Sequence, residues 1–374
     1  MSLPATLPPL PALSKNRELL TELQSAGLHL LDGGLSGNSR RGGAGPSDHQ
    51  ALSLDGHTLM VPTHTAAVWQ SPFTATRDAD GRGTLLREGR PLARIDFVQR
   101  PRFHALTTAD GIPYAQIATL HGRDVLASTV LQTCIRYQSR RKTCQFCAIG
   151  QSLAAGRTLA RKTPEQLAEV AAAAVRLDGV RQMVLTTGTP NATDRGAAVL
   201  ADSARAIRAA VDLPIQAQCE PPDDPRWFER LRAAGVDTLG MHLEAVTPEV
   251  RARIMPGKAT VPLAVYWQAF ERAVEVFGRG QVSTYLLAGL GDPPAAILAA
   301  CERLVALGVY PFVVPFVPIA GTPLEDHPAP SAAFMRALLE PLGAMLEAAG
   351  LRAADSKAGC GRCGACSTLS LYGG

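Results

Sequence analysis

From residue 125 onward the chain alternates apolar, strand-like runs with longer helical patterns, and does so six times. Strands are predicted at 125–132, 182–187, 213–219, 237–243, 281–288 and 310–317. The helices between them open on clear signals: Thr163-Pro164 with Gln166 as capping-box partner, Asp224-Pro225, Thr247-Pro248 and Asp292-Pro293. Gly235 and Gly308 stand where left-handed helix caps are expected. Repeated strand–helix units predict an α/β fold with a parallel sheet and helices outside it. Periodicity alone is met equally by an open sheet, a partial barrel or a full eight-unit barrel.

The remaining chain flanks this unit. Residues 1–13 read as a Pro-rich arm, and 14–25 as a helix with Ser14 as N-cap and Leu19, Leu20 and Leu23 on one face. Residues 32–48 are rich in Gly, Ser and Arg, which suits a surface loop or, less well, an amide cradle for an anion beside Arg40 and Arg41. Residues 51–124 alternate short apolar segments with turns at Asp55-Gly56, Asp80-Gly81 and Asp110-Gly111, predicting a small α+β domain. Residues 331–349 read as a helix containing Pro341, and 351–374 as a cysteine-rich tail. Three parts are therefore expected: 1–124, 125–350 and 351–374.

Composition excludes several function classes. A net charge of +4 over 374 residues carries no argument for nucleic acid. No apolar run reaches the ~18 residues of a membrane span, and the N-terminus lacks the pattern of a signal peptide. Six of the eight cysteines fall in two triads, which points to metal binding in a reducing, cytoplasmic setting rather than to disulfides.

The first triad is Cys134, Cys144 and Cys147, just past the first predicted strand. Thiolates so placed bind zinc or iron–sulfur clusters; three with no nearby fourth ligand fit a cluster that leaves one iron open better than a structural zinc site. The triad ends in Cys144-Gln145-Phe146-Cys147, and this C-x-aromatic-C pair after a first barrel strand resembles the radical S-adenosylmethionine (radical SAM) enzymes. Nine residues separate Cys134 from Cys144 where that family usually has three. The resemblance implies a partial (β/α)6 TIM-like barrel. It also implies a 4Fe-4S cluster on Cys134, Cys144 and Cys147, and S-adenosylmethionine chelated at the open iron. Reductive cleavage would then yield a 5′-deoxyadenosyl radical that abstracts hydrogen from a small organic substrate.

In such barrels chemistry sits at the C-terminal strand ends. There the resemblance extends to Thr187-Gly188-Thr189, similar to the motif whose backbone binds the methionine amino group. It extends to Glu244, a carboxylate for ribose or amine, and to Lys258, favoured over Arg251 and Arg253 to neutralise the methionine carboxylate. Phe146 and Gly289 complete the implied cofactor contacts, the latter by letting backbone approach adenine. The string Pro318-Ile319-Ala320-Gly321-Thr322-Pro323-Leu324 is frequent after the sixth strand of such proteins. The barrel resembles the biotin-synthase and lipoyl-synthase type, and the whole chain an uncharacterised radical SAM family encoded beside nitrilase-type genes.

The second triad, Cys360, Cys363 and Cys366, has the spacing of the first three ligands of a bacterial ferredoxin run, with Ser370 at the fourth position. It is expected to hold a second iron–sulfur cluster or a structural zinc, with Cys219 as a candidate fourth ligand and Cys301 as a core residue. Such a cluster would bind substrate, donate sulfur or relay electrons, in that order of expectation. Sulfur insertion and a non-catalytic zinc or iron–sulfur scaffold are the rival functions. Arg136, Arg140, Arg141 and Lys142 form a basic loop suited to an acidic electron donor of flavodoxin or ferredoxin type, or else a solvated loop whose charges balance the thiolates.

Overall fold

A computed structural model of the chain describes residues 13–31 and 49–373. Arg40, Arg41 and the rest of the suggested anion cradle lie outside the described residues.

The N-terminal part is one helix on one sheet. Helix α1 (Leu13–Ala26) buries Leu19, Leu20 and Leu23 against strands β1 (His29–Leu30), β2 (His49–Leu54), β3 (His57–Pro62), β4 (Phe73–Arg77), β5 (Arg82–Arg87) and β6 (Arg90–Phe97), in the order β1-β4-β5-β6-β2-β3. The expected period of two is plain in β6, where Ala93, Ile95 and Phe97 are buried between exposed Arg94 and Asp96. The predicted Asp55-Gly56 turn joins β2 to β3, with both residues at positive φ, 50° and 79°. That is the two-residue geometry matching strand twist.

The second sheet holds seven strands in sequence order: β7 (Thr119–His121), β8 (Val125–Thr129), β9 (Gln182–Thr186), β10 (Ile215–Gln218), β11 (Thr238–Gly240), β12 (Val282–Ala288) and β13 (Val309–Pro315). The six from β8 to β13 are all parallel and match the six predicted strands. Among the described residues β7 and β13 are the edges of the sheet, which does not close, so the architecture is a partial barrel. Strand β7 is antiparallel to β8 and adds an edge to the sheet.

Helices α2 (Ile149–Ala154), α3 (Pro164–Asp178), α4 (Ala197–Ala210), α5 (Trp227–Ala233), α6 (Pro248–Ile254), α7 (Leu263–Phe277), α8 (Pro294–Leu307) and α9 (Ala332–Ala348) follow in the chain. The capping box at Thr163 and Gln166 is formed in both directions, at 3.0 and 3.2 Å. Asp292 behaves differently from expectation. It does not cap α8; its carboxylate accepts from the Val246 and Thr247 amides at 2.8 and 2.9 Å, tying two strand-end loops together.

The tail is no loose appendage. It crosses the N-terminal ends of the barrel strands and fills that opening. Thr238, the first residue of β11, donates to Ala358 O at 3.0 Å, and the Gly359 amide donates to Oε1 of Gln182, the first residue of β9, at 2.6 Å. A short helix, α10 (Cys360–Cys363), places Cys360 and Cys363 against Val125, Ala127 and Val184. Beyond it the Ala365 carbonyl accepts from the Met60 amide at 2.7 Å, so the tail also joins the barrel to the first sheet. Tyr372 O lies so near Gly343 that a Cβ there would stand 1.9 Å away, which is why α9 carries glycine at that turn.

Candidate active site

Beyond β8 the chain enters the cysteine loop at the C-terminal ends of the strands. Backbone bonds hold the loop from three sides: Gly188 N–H to Leu131 O at 2.9 Å, Ile135 N–H to Thr189 O at 2.9 Å, and Gln145 N–H to Ile254 O at 2.7 Å. The Gly188 site is tight, because a Cβ there would lie 2.1 Å from Thr133 O. The Pro318–Leu324 string docks on the same loop through Leu324 N–H and Gln145 O at 3.3 Å. Phe146 packs with Leu287, Leu324 and buried Leu290 and Phe316. The loop conformation is thus set by contacts from three strand ends, those of β9, β12 and β13, and from the end of α6.

Two ion pairs flank the thiols. Lys258 Nζ donates to Glu244 Oε2 at 2.6 Å, with both side chains nearly buried. Arg136 grips Glu220 with two parallel bonds, Nε to Oε1 at 2.7 Å and Nη2 to Oε2 at 2.6 Å, and Thr189 Oγ1 donates to Oε1 at 2.7 Å. Burial raises the Glu220 carboxyl, but Arg136, Lys258 and Thr189 together outweigh it and hold the group below its ordinary range. Burial likewise pulls Lys258 down, and Glu244, Tyr266, Glu220 and Cys144 outweigh it, so the ammonium is held above its ordinary range.

Burial pushes the Cys144 thiol well up and the Cys147 thiol to about 12, with Glu244 opposing and Lys258 favouring ionisation of both. Cys147 also feels Cys134, so three thiols, two carboxylates and a lysine share one electrostatic neighbourhood. Buried thiols of this kind ionise when a metal supplies the compensating charge. All three are free. Among the described residues no three His, Cys, Asp or Glu side chains stand close enough for a single metal ion. A cluster is wider than an ion and spreads its thiolates, so the donor set suits a cluster.

A cavity of about 240 Å3 runs from this loop through the barrel interior. Phe146 stands at one end and Cys360 and Cys366 at the other, with Val184, Leu287, Val314 and Phe316 in the walls. His242 is a polar exception. Its Nδ1 accepts from the Tyr285 amide at 3.2 Å, which leaves the proton on Nε2, a buried donor with no partner among the described residues. Burial, with Lys258 adding to it, pulls the imidazole down to about 3, so the ring is neutral. At the far end all three tail thiols act on Tyr285, and Gln218 Nε2 donates to Cys360 Sγ at 3.2 Å.

The structure brings Cys134, Cys144, Cys147, Phe146, Glu244 and Lys258 together. Thr187, Gly188 and Thr189 adjoin them, but are occupied locally: Thr187 Oγ1 donates to Gly188 O at 2.8 Å, and Thr189 serves Glu220. Gly289 is required by its φ of 106° and by Pro330, whose Cδ would lie 3.0 Å from a Cβ. Arg251 donates to Leu243 O at 2.7 Å and Arg253 to Leu290 O at 3.0 Å, so both serve backbone and Lys258 remains the available cation. Arg136 is not part of the surface patch expected for it, being buried on Glu220; Arg140, Arg141 and Lys142 are exposed. Cys219 is no tail ligand. It is fully buried beside Glu220, Asp194 and Arg195, because strand alternation sends Gln218 into the barrel and its neighbour away from it. Cys301 is a core residue as expected. Sequence reasoning gave no role to Glu220, His242 or Tyr266, whose hydroxyl is buried without a partner among the described residues. Only the position of Glu220 and His242 at strand C-termini marked them.

Residues 140–305 match the family described as Radical SAM superfamily. The chain is 32% identical over 212 residues to bacteriochlorophyllide c C-7(1)-hydroxylase of Chlorobaculum limnaeum, covering 51% of this chain and 52% of that protein. It is 27% identical over 140 residues to "Probable dual-specificity RNA methyltransferase" of Rhodopirellula baltica, covering 37% and 38%. The matched stretches thus span about half or less of these relatives' lengths. A radical SAM methyltransferase structure from Sphaerobacter thermophilus superposes with a TM-score of 0.48 at 17% identity, covering 75% of each chain.

Proposed function

Because the chain is a member of the radical SAM superfamily, we propose that it cleaves S-adenosylmethionine reductively and turns the radical on a small, largely apolar substrate held in the barrel cavity. When bound, a 4Fe-4S cluster and S-adenosylmethionine supply reductive scission of a carbon–sulfur bond and a carbon radical able to take hydrogen. Cys134, Cys144 and Cys147 would hold the cluster. Lys258 and Glu244 offer one cation and one anion beside Cys144. An amino acid carries the same two charges, so it can exchange partners with this pair without a net change in buried charge. Tyr266 adds a hydroxyl still in need of a partner.

The observation that carries the reading is the continuous cavity from Phe146, between two first-triad cysteines, to Cys360 and Cys366. Its walls are mostly apolar and its polar anchor is the Nε2 proton of His242, which suits a substrate with one carbonyl, ether or hydroxyl oxygen. A cavity of about 240 Å3 with apolar walls supports a small molecule over RNA, although one relative is named an RNA methyltransferase. The tail triad, three cysteines outside any disulfide and close to Tyr285, would hold a second iron–sulfur cluster facing the substrate. Exposed Arg140, Arg141 and Lys142 suit an acidic flavodoxin or ferredoxin, and eight cysteines with no disulfide between them suit a reducing, cytoplasmic compartment.

The test is anaerobic reconstitution with iron and sulfide, then assay of 5′-deoxyadenosine with dithionite and S-adenosylmethionine. Wild type should form it, and Cys134→Ala, Cys144→Ala and Cys147→Ala should not. A fully loaded wild type that forms none overturns the reading. Because Cys360 and Cys366 line the cavity, sulfur insertion from the tail is the second reading. Sulfur in the product, with matching loss of tail sulfide in one turnover, would establish it.

A further inference from the structure

The tail supplies three thiols, and a four-iron cluster has four iron corners. Ser370, at the fourth position of the ferredoxin spacing, is exposed, and Cys219 lies on the other side of β10. A different residue stands at the thiols. His121, the last residue of β7, is 4% exposed, and its Nε2 lies 3.4 Å from Cys366 Sγ. Its strand register pairs it with Val125, against which Cys360 and Cys363 pack. The next residue, Gly122, has a φ of 61°, and a Cβ there would lie 3.2 Å from Cys363 Sγ. The β7–β8 turn therefore covers Cys363 and Cys366 together, with an imidazole nitrogen as the donor it presents.

We propose that His121 is the fourth ligand of the tail group, a cluster held by Cys360, Cys363, Cys366 and His121 Nε2. The proposal rests on the reading that the tail binds a cluster, and decides what that cluster can do. With a fourth protein ligand no iron corner is open, so substrate is not bound at iron there. Exchanging an anionic thiolate for a neutral imidazole favours the reduced state and raises the potential relative to an all-cysteine cluster. Such a group accepts or stores an electron beside the substrate cavity. Roles as electron relay or sulfur donor therefore move ahead of substrate ligation, reversing the expectation from the spacing alone.

The experiment uses the full chain with Cys134, Cys144 and Cys147 all replaced by Ala, reconstituted anaerobically with ferrous iron and sulfide. Iron and zinc are counted, and the reduced protein is examined by pulsed electron paramagnetic resonance for nitrogen bound to iron. About four irons per chain and a strong nitrogen coupling are expected. In the same background His121→Cys should keep the iron, lose the coupling and lower the potential, which also shows that the site still folds. His49→Ala, which alters another histidine lining the cavity, should keep the coupling. Four irons without strong nitrogen coupling, or a coupling that survives His121→Cys, overturns the ligand assignment while the tail cluster stands. Zinc alone, or no metal, overturns the tail cluster itself.

Discussion

Lys258 Nζ and Glu244 Oε2 stand 2.6 Å apart, fourteen residues apart in sequence, beside the half-buried Cys144. Glu244 reaches this position with a φ of 63°, a left-handed conformation that costs a non-glycine residue about 1–3 kcal/mol. The neighbouring ladder holds it there: its amide donates to Tyr285 O at 2.9 Å and its carbonyl accepts from Leu287 at 2.8 Å. Removing one member of a buried pair strands the other. Lys258→Met should therefore destabilise the apo-protein by about 3–5 kcal/mol, and Lys258→Met with Glu244→Gln by clearly less. Urea unfolding of the two single variants and the double variant measures this; equal losses for the single Lys258→Met and the double would show that the pair is not coupled.

Gly188→Ala tests whether the motif after β9 seats the cysteine loop. The added methyl would overlap Thr133 O. A loss of about 1–3 kcal/mol is expected, from overpacking. Iron retained by the first triad should fall more steeply than stability. Wild-type iron content in a folded Gly188→Ala protein would show that the loop does not depend on this contact.

The exposed cations can be separated from the buried one. Arg140→Glu with Arg141→Glu should slow reduction by a flavodoxin several-fold at low salt, less at high salt, and leave reduction by dithionite unchanged. Arg136→Glu places a like charge on Glu220 and should unfold the loop, impairing both donors. Stopped-flow reduction with each donor distinguishes the cases.

Lys162 is 1% exposed, donating to Thr129 O at 2.6 Å and Thr158 Oγ1 at 2.7 Å. Burial pulls its ammonium down to about 8. Between about pH 8 and the ordinary lysine value the unfolded chain holds a proton that the folded chain has lost, so this residue makes stability rise with pH across that window. Below it the penalty is constant. The buried thiols Cys147 and Cys301, pushed up to about 12 by burial, act in the opposite sense. The measurable quantity is therefore wild-type stability minus that of Lys162→Met, which should climb on the order of 3 kcal/mol from pH 8 to 10.5. A flat difference would show the amine charged in the folded chain.

Replacing Cys360, Cys363 and Cys366 together by Ser should remove about four irons while the barrel stays folded. Ending the chain at Ala358 should do more. It removes backbone partners of Gln182, Gln216 and Met60, and should lower the thermal midpoint by well over the serine variant's change. Equal midpoints would show that the tail does not hold the floor of the barrel.

The barrel was legible because its signals are local. Alternating apolar periods, the Thr163–Gln166 box and the glycines at 235 and 308 each act within a few residues, and the strands they bound are the six parallel strands observed. The first triad was legible for the same reason: three thiols in one loop after a strand need no long-range contact to be recognised. The Asp292-Pro293 pair shows the limit. As a sequence it reads as a helix start, and its carboxylate instead serves another loop.

What the sequence by itself determined is therefore the order of elements and the donor atoms available, both properties of short segments. Tertiary structure alone decided which distant groups meet. Arg136 closes on Glu220 and not on solvent, because the loop returns across the end of β10. His121 meets Cys366 across 245 residues, because the tail turns back under the strand N-termini. No spacing rule carries such pairings: they follow from sheet register and from the burial of polar groups that must find partners inside the barrel.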